Sequence, residues 1–91
     1  MKNKNIPLVS IIIPHFNNYS ILEECITSIY KIKYNAIEII VVDNNSTDNS
    51  IDQIQQTFPN IIIYQSKKNL GYAGGCNFGA EIANGEYLFF L

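Results

Sequence analysis

Arginine is absent from this 91-residue chain, so all six basic residues are lysines. They form no basic stripe. Lys2 and Lys4 stand near the start, Lys67 and Lys68 make one pair, and the net charge is −2. That excludes nucleic-acid binding through bulk electrostatics. Cysteine is scarce: Cys25 and Cys76 lie far apart and match no metal-ligand spacing. Each falls in a helical apolar pattern and is expected as a small buried hydrophobe rather than half of a disulfide. No apolar run approaches the ~20 residues of a membrane span. The opening "MKNKNIP" leads straight into a strand-like run, without the long apolar region and cleavage site of a signal peptide. A cytoplasmic protein is the expectation, with membrane association of a longer form left open.

What is present suits a folded core. Hydrophobic residues make up 47% and charged residues 15%, which argues for one domain over residues 1–91 and against disorder. Four short apolar runs read as strands: "LVSIII" (8–13), stopped by Pro14, then "IEIIVV" (37–42), "NIIIY" (60–64) and "EYLFFL" (86–91). Their β-branched, continuous apolarity predicts strands covered on both faces, as in a parallel sheet.

Helical patterns separate them. In "SILEECITSIYKIK", Ser20 and Glu23 make a capping-box pattern. Leu22, Cys25, Ile26, Ile29 and Tyr30 share one face, and Lys31 and Lys33 sit where the helix dipole favours cations. "TDNSIDQIQQTF" carries Ile51, Ile54 and Phe58 on one face, with Asp48 and Asp52 near its start and Pro59 after it. "YAGGCNFGAEIANG" places Cys76, Ala80 and Ala83 together and predicts a stop at Asn84-Gly85. The order β-α-β-α-β-α-β predicts an α/β sheet with right-handed crossovers and helices on both faces. Ligands in such sheets bind at the carboxyl ends of the strands. There the chain offers "PHFNN", "DNNSTD" and "NLGYAGG".

These loops exclude the commonest nucleotide motifs. The first turn, "PHFNNYS", has no glycine for a dinucleotide fold, and no Gly-Lys-Ser/Thr forms a P-loop. For Gly74 and Gly75, ligand approach and close helix–sheet packing both remain open. Asp43 is held at the end of a buried strand, followed by Asn44. Either side chain can accept a hydrogen bond from a pyrimidine N–H or a ribose hydroxyl. Ser46, Thr47 and Asp48 read as turn and cap chemistry. His15 reads as a crevice wall, and Tyr72 as a possible lining residue.

Together, "VSIIIPHFNN", "EIIVVDNNSTDNS" and "NLGYAGGCNFGAEIANGEYLFFL" resemble the N-terminal half of the family-2 glycosyltransferases with the A-type nucleotide-sugar fold. The resemblance covers nearly the whole chain, and its wording is closest to the rhamnosyltransferase-like branch of bacterial surface polysaccharide synthesis. It implies a Rossmann-like sheet in order 3-2-1-4. It also implies an inverting enzyme that moves a sugar from a nucleotide diphosphate to an acceptor hydroxyl, with divalent Mg or Mn on the pyrophosphate. Carried over residue by residue, it puts Pro14, Phe16 and Asn17 near the base. Asp43 and Asn44 fall where the family's acidic pair reads base and ribose. Asn69, Gly71, Ala73 and Asn77 lie along the nucleotide. The second acid is an amide in this chain, so a dTDP donor stands beside the usual UDP. Gly71 supplies no basic side chain for phosphate, which leaves more of that role to backbone N–H groups and the metal.

The family's metal-binding Asp-x-Asp motif and its catalytic base would follow Leu91. The resemblance thus implies a partial nucleotide-sugar-binding domain, inactive alone, with no catalytic or metal residue among the 91 and no metal bound to them. It also leaves residues Glu86 to Leu91 as an apolar sheet edge, which predicts a homo-oligomer. Two other readings stand beside it: a non-catalytic nucleotide-binding α/β module and a flavodoxin-like or receiver-like interaction domain. The second lacks acids after the first strand and an Asp after the third.

Overall fold

A computed structural model describes residues 6–91. Lys2 and Lys4 lie outside the described residues. The predicted alternation appears in full: β1 (Val9–His15), α1 (Tyr19–Tyr30), β2 (Ile37–Asp43), α2 (Ser50–Thr57), β3 (Ile62–Gln65), α3 (Gly71–Ile82) and β4 (Tyr87–Phe90). The strands form one parallel sheet in the order β3-β2-β1-β4, as the resemblance implied.

The period-2 alternation of each strand sends its residues to two separate cores. Ile11 and Ile13 of β1 join Ile39 and Val41 of β2 beneath Leu22, Ile26 and Ile29 of α1 and Ile51 and Ile54 of α2. On the other face, Ile12, Ile40 and Val42 meet Phe78, Ala80 and Ala83 of α3 and its C-terminal residue. Helices therefore cover both faces. Each fully buried aliphatic side chain here stabilises the fold by about 1.5–3 kcal/mol.

Small residues let α3 lie close. A Cβ at Gly79 would come within 2.4 Å of Ile12 Cγ2, and one at Gly75 within 3.0 Å of Pro14 Cβ. For Gly75, packing against the sheet is the role seen. The helical face expected from Cys76, Ala80 and Ala83 is turned slightly: Gly75 and Gly79 are its buried members, and Cys76 is half-buried. Cys25 is also half-buried and packs on the larger core, and both thiols are free.

Several expectations are corrected. Pro14 does not stop β1, which runs on to His15. Pairing with β4 ends at Ile12↔Phe90, so the N–H that Pro14 lacks costs no ladder bond there. Ser20 does not cap α1. Asn18 does, its side chain accepting from Ile21 N at 3.2 Å, while Glu23 accepts from Thr27 at 3.0 Å. The helix ends at Tyr30, so Lys31 and Lys33 fall beyond its last turn. The second helix starts at Ser50 rather than within 47–49, and β3 is shifted to Ile62–Gln65. Nor are all four strands covered on both faces. β3 is only partly covered, and Tyr87, Phe89 and Phe90 of β4 are exposed, because β4 is an edge with one partner.

Gly85 was expected to end α3, but Ala83 already leaves the helix in an extended conformation. Glycine is needed at 85 for another reason. A Cβ there would meet Ser10 Oγ at 2.5 Å and Ser10 N at 2.7 Å. The close approach belongs to a polar clasp at the amino end of the sheet. Gly85 N donates to Ser10 Oγ (2.8 Å), Ser10 donates to Glu38 Oε2 (2.6 Å), and Asn84 N donates to the same oxygen (2.7 Å). Burial works against the Glu38 carboxylate, but the bonds from Ser10 and Asn84 outweigh it and hold its pKa below the ordinary value.

Candidate functional site

The parallel strands deliver their carboxyl ends to one rim of the sheet, and three loops gather there. The loop after β1 and the loop after β2 are stitched by asparagine. Asn17 Oδ1 accepts from Thr47 N (2.8 Å) and Asp48 N (3.3 Å), and Asn17 N donates to Ser46 Oγ (2.8 Å). Asn18 N donates to Asp48 Oδ2 at 2.7 Å. Asn17, Asn18 and Asn45 all have positive φ, at 56°, 72° and 66°. Asparagine tolerates that region better than other side-chain-bearing residues, which explains its density in these two loops.

Asp43 and Asn44 sit at the floor of this rim, 2% and 5% exposed. Asp43 Oδ1 accepts from the Ser46 hydroxyl and Oδ2 from Ser46 N at 3.1 Å. Each carboxylate oxygen retains a further lone pair. Asn44 reaches the third loop: its Oδ1 accepts from Leu70 N (3.1 Å) and its Nδ2 donates to Gly71 O (3.2 Å). Gly71, with φ +74°, opens α3, where glycine alone enters that conformation at little cost.

His15 is buried behind the rim, as its reading as a wall anticipated, and it has partners that the sequence did not reveal. Its Nε2 lies 2.9 Å from Ser50 Oγ, and Ser50 in turn donates to Asp48 Oδ1. Since Ser50 spends its proton on Asp48, the imidazole is the donor to Ser50. Burial lowers the His15 pKa, against the pull of Asp43 and Asp48. A lowered folded value makes this group's contribution to stability complete above the ordinary histidine value of 6.5; it is lost as pH falls toward and through the folded value. Thermal melts from about pH 7.5 to 5 should therefore show a falling Tm, with a shallower slope for His15→Gln. Equal slopes would contradict a buried neutral His15.

The structure brings the sequence-predicted residues to one rim, with differing access. Asp43 and Asn44 are buried, Pro14 and Asn17 half-buried, and Phe16, Asn69, Gly71, Ala73 and Asn77 exposed. Tyr72 is exposed beside them on α3. Asn77 is the outlier, lying in the second turn of α3 rather than in the loop. Ser46, Ser50 and Asn18 are the residues whose part here was missed or understated. The Asp43–Ser46 and Asp48–Ser50 spacings of side-chain-to-backbone turns were the available signal. Two hollows, of about 360 and 240 Å³, the smaller one lined by apolar side chains, lie away from this rim, toward the amino ends of the strands around Ile32, Tyr34 and Ile37.

Among the described residues, no three His, Cys, Asp or Glu side chains converge as metal ligands. Asp43 turns both oxygens toward Ser46. These residues do not fit a divalent ion, and no step through one follows from them.

An open parallel sheet in this strand order, with helices on both faces and polar loops at its carboxyl rim, is the A-type fold of glycosyltransferases. Within that class the chain belongs to glycosyl transferase family 2, whose family model matches residues 10–91. It is 37% identical over 90 residues to an uncharacterized glycosyltransferase of Haemophilus influenzae, covering 96% of this chain and 36% of that protein. It superposes on the mannosyltransferase PcManGT of Pyrobaculum calidifontis, in complex with GDP-Man and Mn2+, with a TM-score of 0.81 and 27% identity. That match covers 93% of this chain and 27% of the other. S. aureus TarS 1-349 in complex with UDP gives 0.83 at 27% identity, covering 92% and 26%. The chain thus spans about a quarter to a third of the length of these relatives. No helix of the described residues is long and apolar enough to cross a membrane.

Proposed function

We propose that the carboxyl rim binds the nucleotide of a sugar donor of the UDP or dTDP type. The chain is then the donor-binding part of an inverting glycosyltransferase that serves bacterial surface polysaccharide synthesis. One observation carries the reading: a buried carboxylate, Asp43, stands at the end of a central strand between the ends of β1 and β3, in a chain of this family. Asp43 keeps lone pairs for a base N–H. Pro14, Phe16 and Asn17 form the base side. Asn69, Gly71, Ala73 and Asn77 flank the rest, and backbone N–H groups at the opening of α3 favour phosphate.

Calorimetric titration of the chain with UDP, dTDP and GDP, with and without Mn2+, tests this. Weak binding that depends on the base is the expected result, and binding of none of the three overturns it. The purified 91 residues are expected to transfer no sugar, and measurable turnover would refute that part.

Self-association belongs to the same proposal. A second copy pairing along β4 would shield Tyr87, Phe89 and Phe90 and complete the free edge. Light scattering should show mass rising with concentration; a monodisperse monomer at high concentration contradicts it.

A further inference from the structure

Asn44 stands where the resemblance puts a base-reading acid, yet its amide is already committed. Its oxygen takes the Leu70 N–H at 3.1 Å and its nitrogen gives a proton to the Gly71 carbonyl at 3.2 Å. Its own backbone N–H bonds His15 O at 2.7 Å, so the side chain is rooted in the β1–β2 ladder. It is 5% exposed and α3 packs beside it: a Cβ on Gly75 would stand in van der Waals contact with Nδ2, at 3.5 Å. We propose that Asn44 is a positioning residue: it clasps the β3–α3 loop to the end of β2 and so holds the first turn of α3 at the rim, and it does not read the base.

The chemistry requires an amide. The loop presents one donor and one acceptor, side by side, and the amide answers both, which a carboxylate cannot. A carboxylate would still accept from Leu70 N but would set an oxygen against the Gly71 carbonyl. At 5% exposure no water readily replaces the lost bond. The acid that the family pattern would suggest at this position is therefore the wrong residue for this loop. Specificity for the base then falls to Asp43 and the β1 loop. The ligand part of this inference rests on the nucleotide-sugar reading.

Two readouts test it. Amide exchange by NMR reports the clasp directly: Asn44→Ala should speed exchange at Leu70 by about tenfold, the loss of roughly one hydrogen bond, and Asn44→Asp, which still accepts from Leu70 N, should speed it less. Leu70→Pro removes the same bond from the other side and, having no amide proton of its own, is read by exchange at Gly71 and Tyr72, so it serves if the Asn44 variants fail to fold. In the double variant, loosening at Gly71 and Tyr72 should be no greater than in either single one. Titration with UDP, dTDP and GDP reports the role. Asn44→Ala should weaken all three by one common factor and leave their ratios unchanged. Unchanged exchange at Leu70 overturns the clasp. Altered nucleotide ratios with an intact loop show base reading and overturn the proposal. If the unsubstituted chain binds none of the three nucleotides, the functional reading fails, and exchange at Leu70 alone decides whether Asn44 holds the loop.

Discussion

Gly79→Ala should destabilise the chain by about 1–3 kcal/mol, the usual cost of overpacking a closed core. The added Cβ falls 2.4 Å from Ile12 Cγ2. Ile12 cannot step aside: it is fully buried on the central strand, between β2 and β4. Helix propensity works the other way, since alanine is favoured over glycine by about 1 kcal/mol inside a helix. The sign of the result therefore separates the packing of α3 on Ile12 from helix propensity. Denaturant unfolding of the variant beside the parent measures the difference. A Gly79→Ala chain at least as stable as the parent would contradict the packing of α3 on Ile12.

Asp43→Asn should reduce nucleotide affinity by about 10–100-fold, the equivalent of the ~1.5–3 kcal/mol carried by a hydrogen bond to a charged group. The substitution keeps shape and removes charge and one acceptor. Part of the loss would come through the loop, because Ser46 donates to both carboxylate oxygens and an amide offers only one. Ser46→Ala isolates that part, since it leaves the carboxylate in place. Calorimetry on both variants should show the larger loss for Asp43→Asn. Equal affinities for the parent and Asp43→Asn would remove Asp43 from the site.

The central strands and three helices were legible because their signals are local. "SIII" and "IIVV" are β-branched and continuously apolar, and β1 and β2 are buried on both faces as that pattern demands. What failed was set by distant neighbours. Ser20-x-x-Glu23 is a sound capping pattern, yet Asn18 takes the cap because Asp48, from the next loop, holds the Asn18 backbone in place. Asn84-Gly85 reads as a helix stop, but Gly85 is required by Ser10, 75 positions earlier. β4 has the composition of a buried strand, and its exposure follows from its place at the sheet edge. At the rim, the gathering of Pro14, Asp43, Asn44 and Gly71 followed from topology. The commitment of the Asn44 amide to Leu70 and Gly71 depends on a spacing that no local pattern encodes.

The most direct test is a map of NMR shift changes as UDP, dTDP or GDP is added to the chain with Mg2+. Changes centred on residues 14–18, 43–47 and 69–77 are the expected result for at least one nucleotide. Changes confined to the opposite end of the sheet, around Ile32, Tyr34 and Ile37, or none with any of the three, would contradict a donor site at the carboxyl rim.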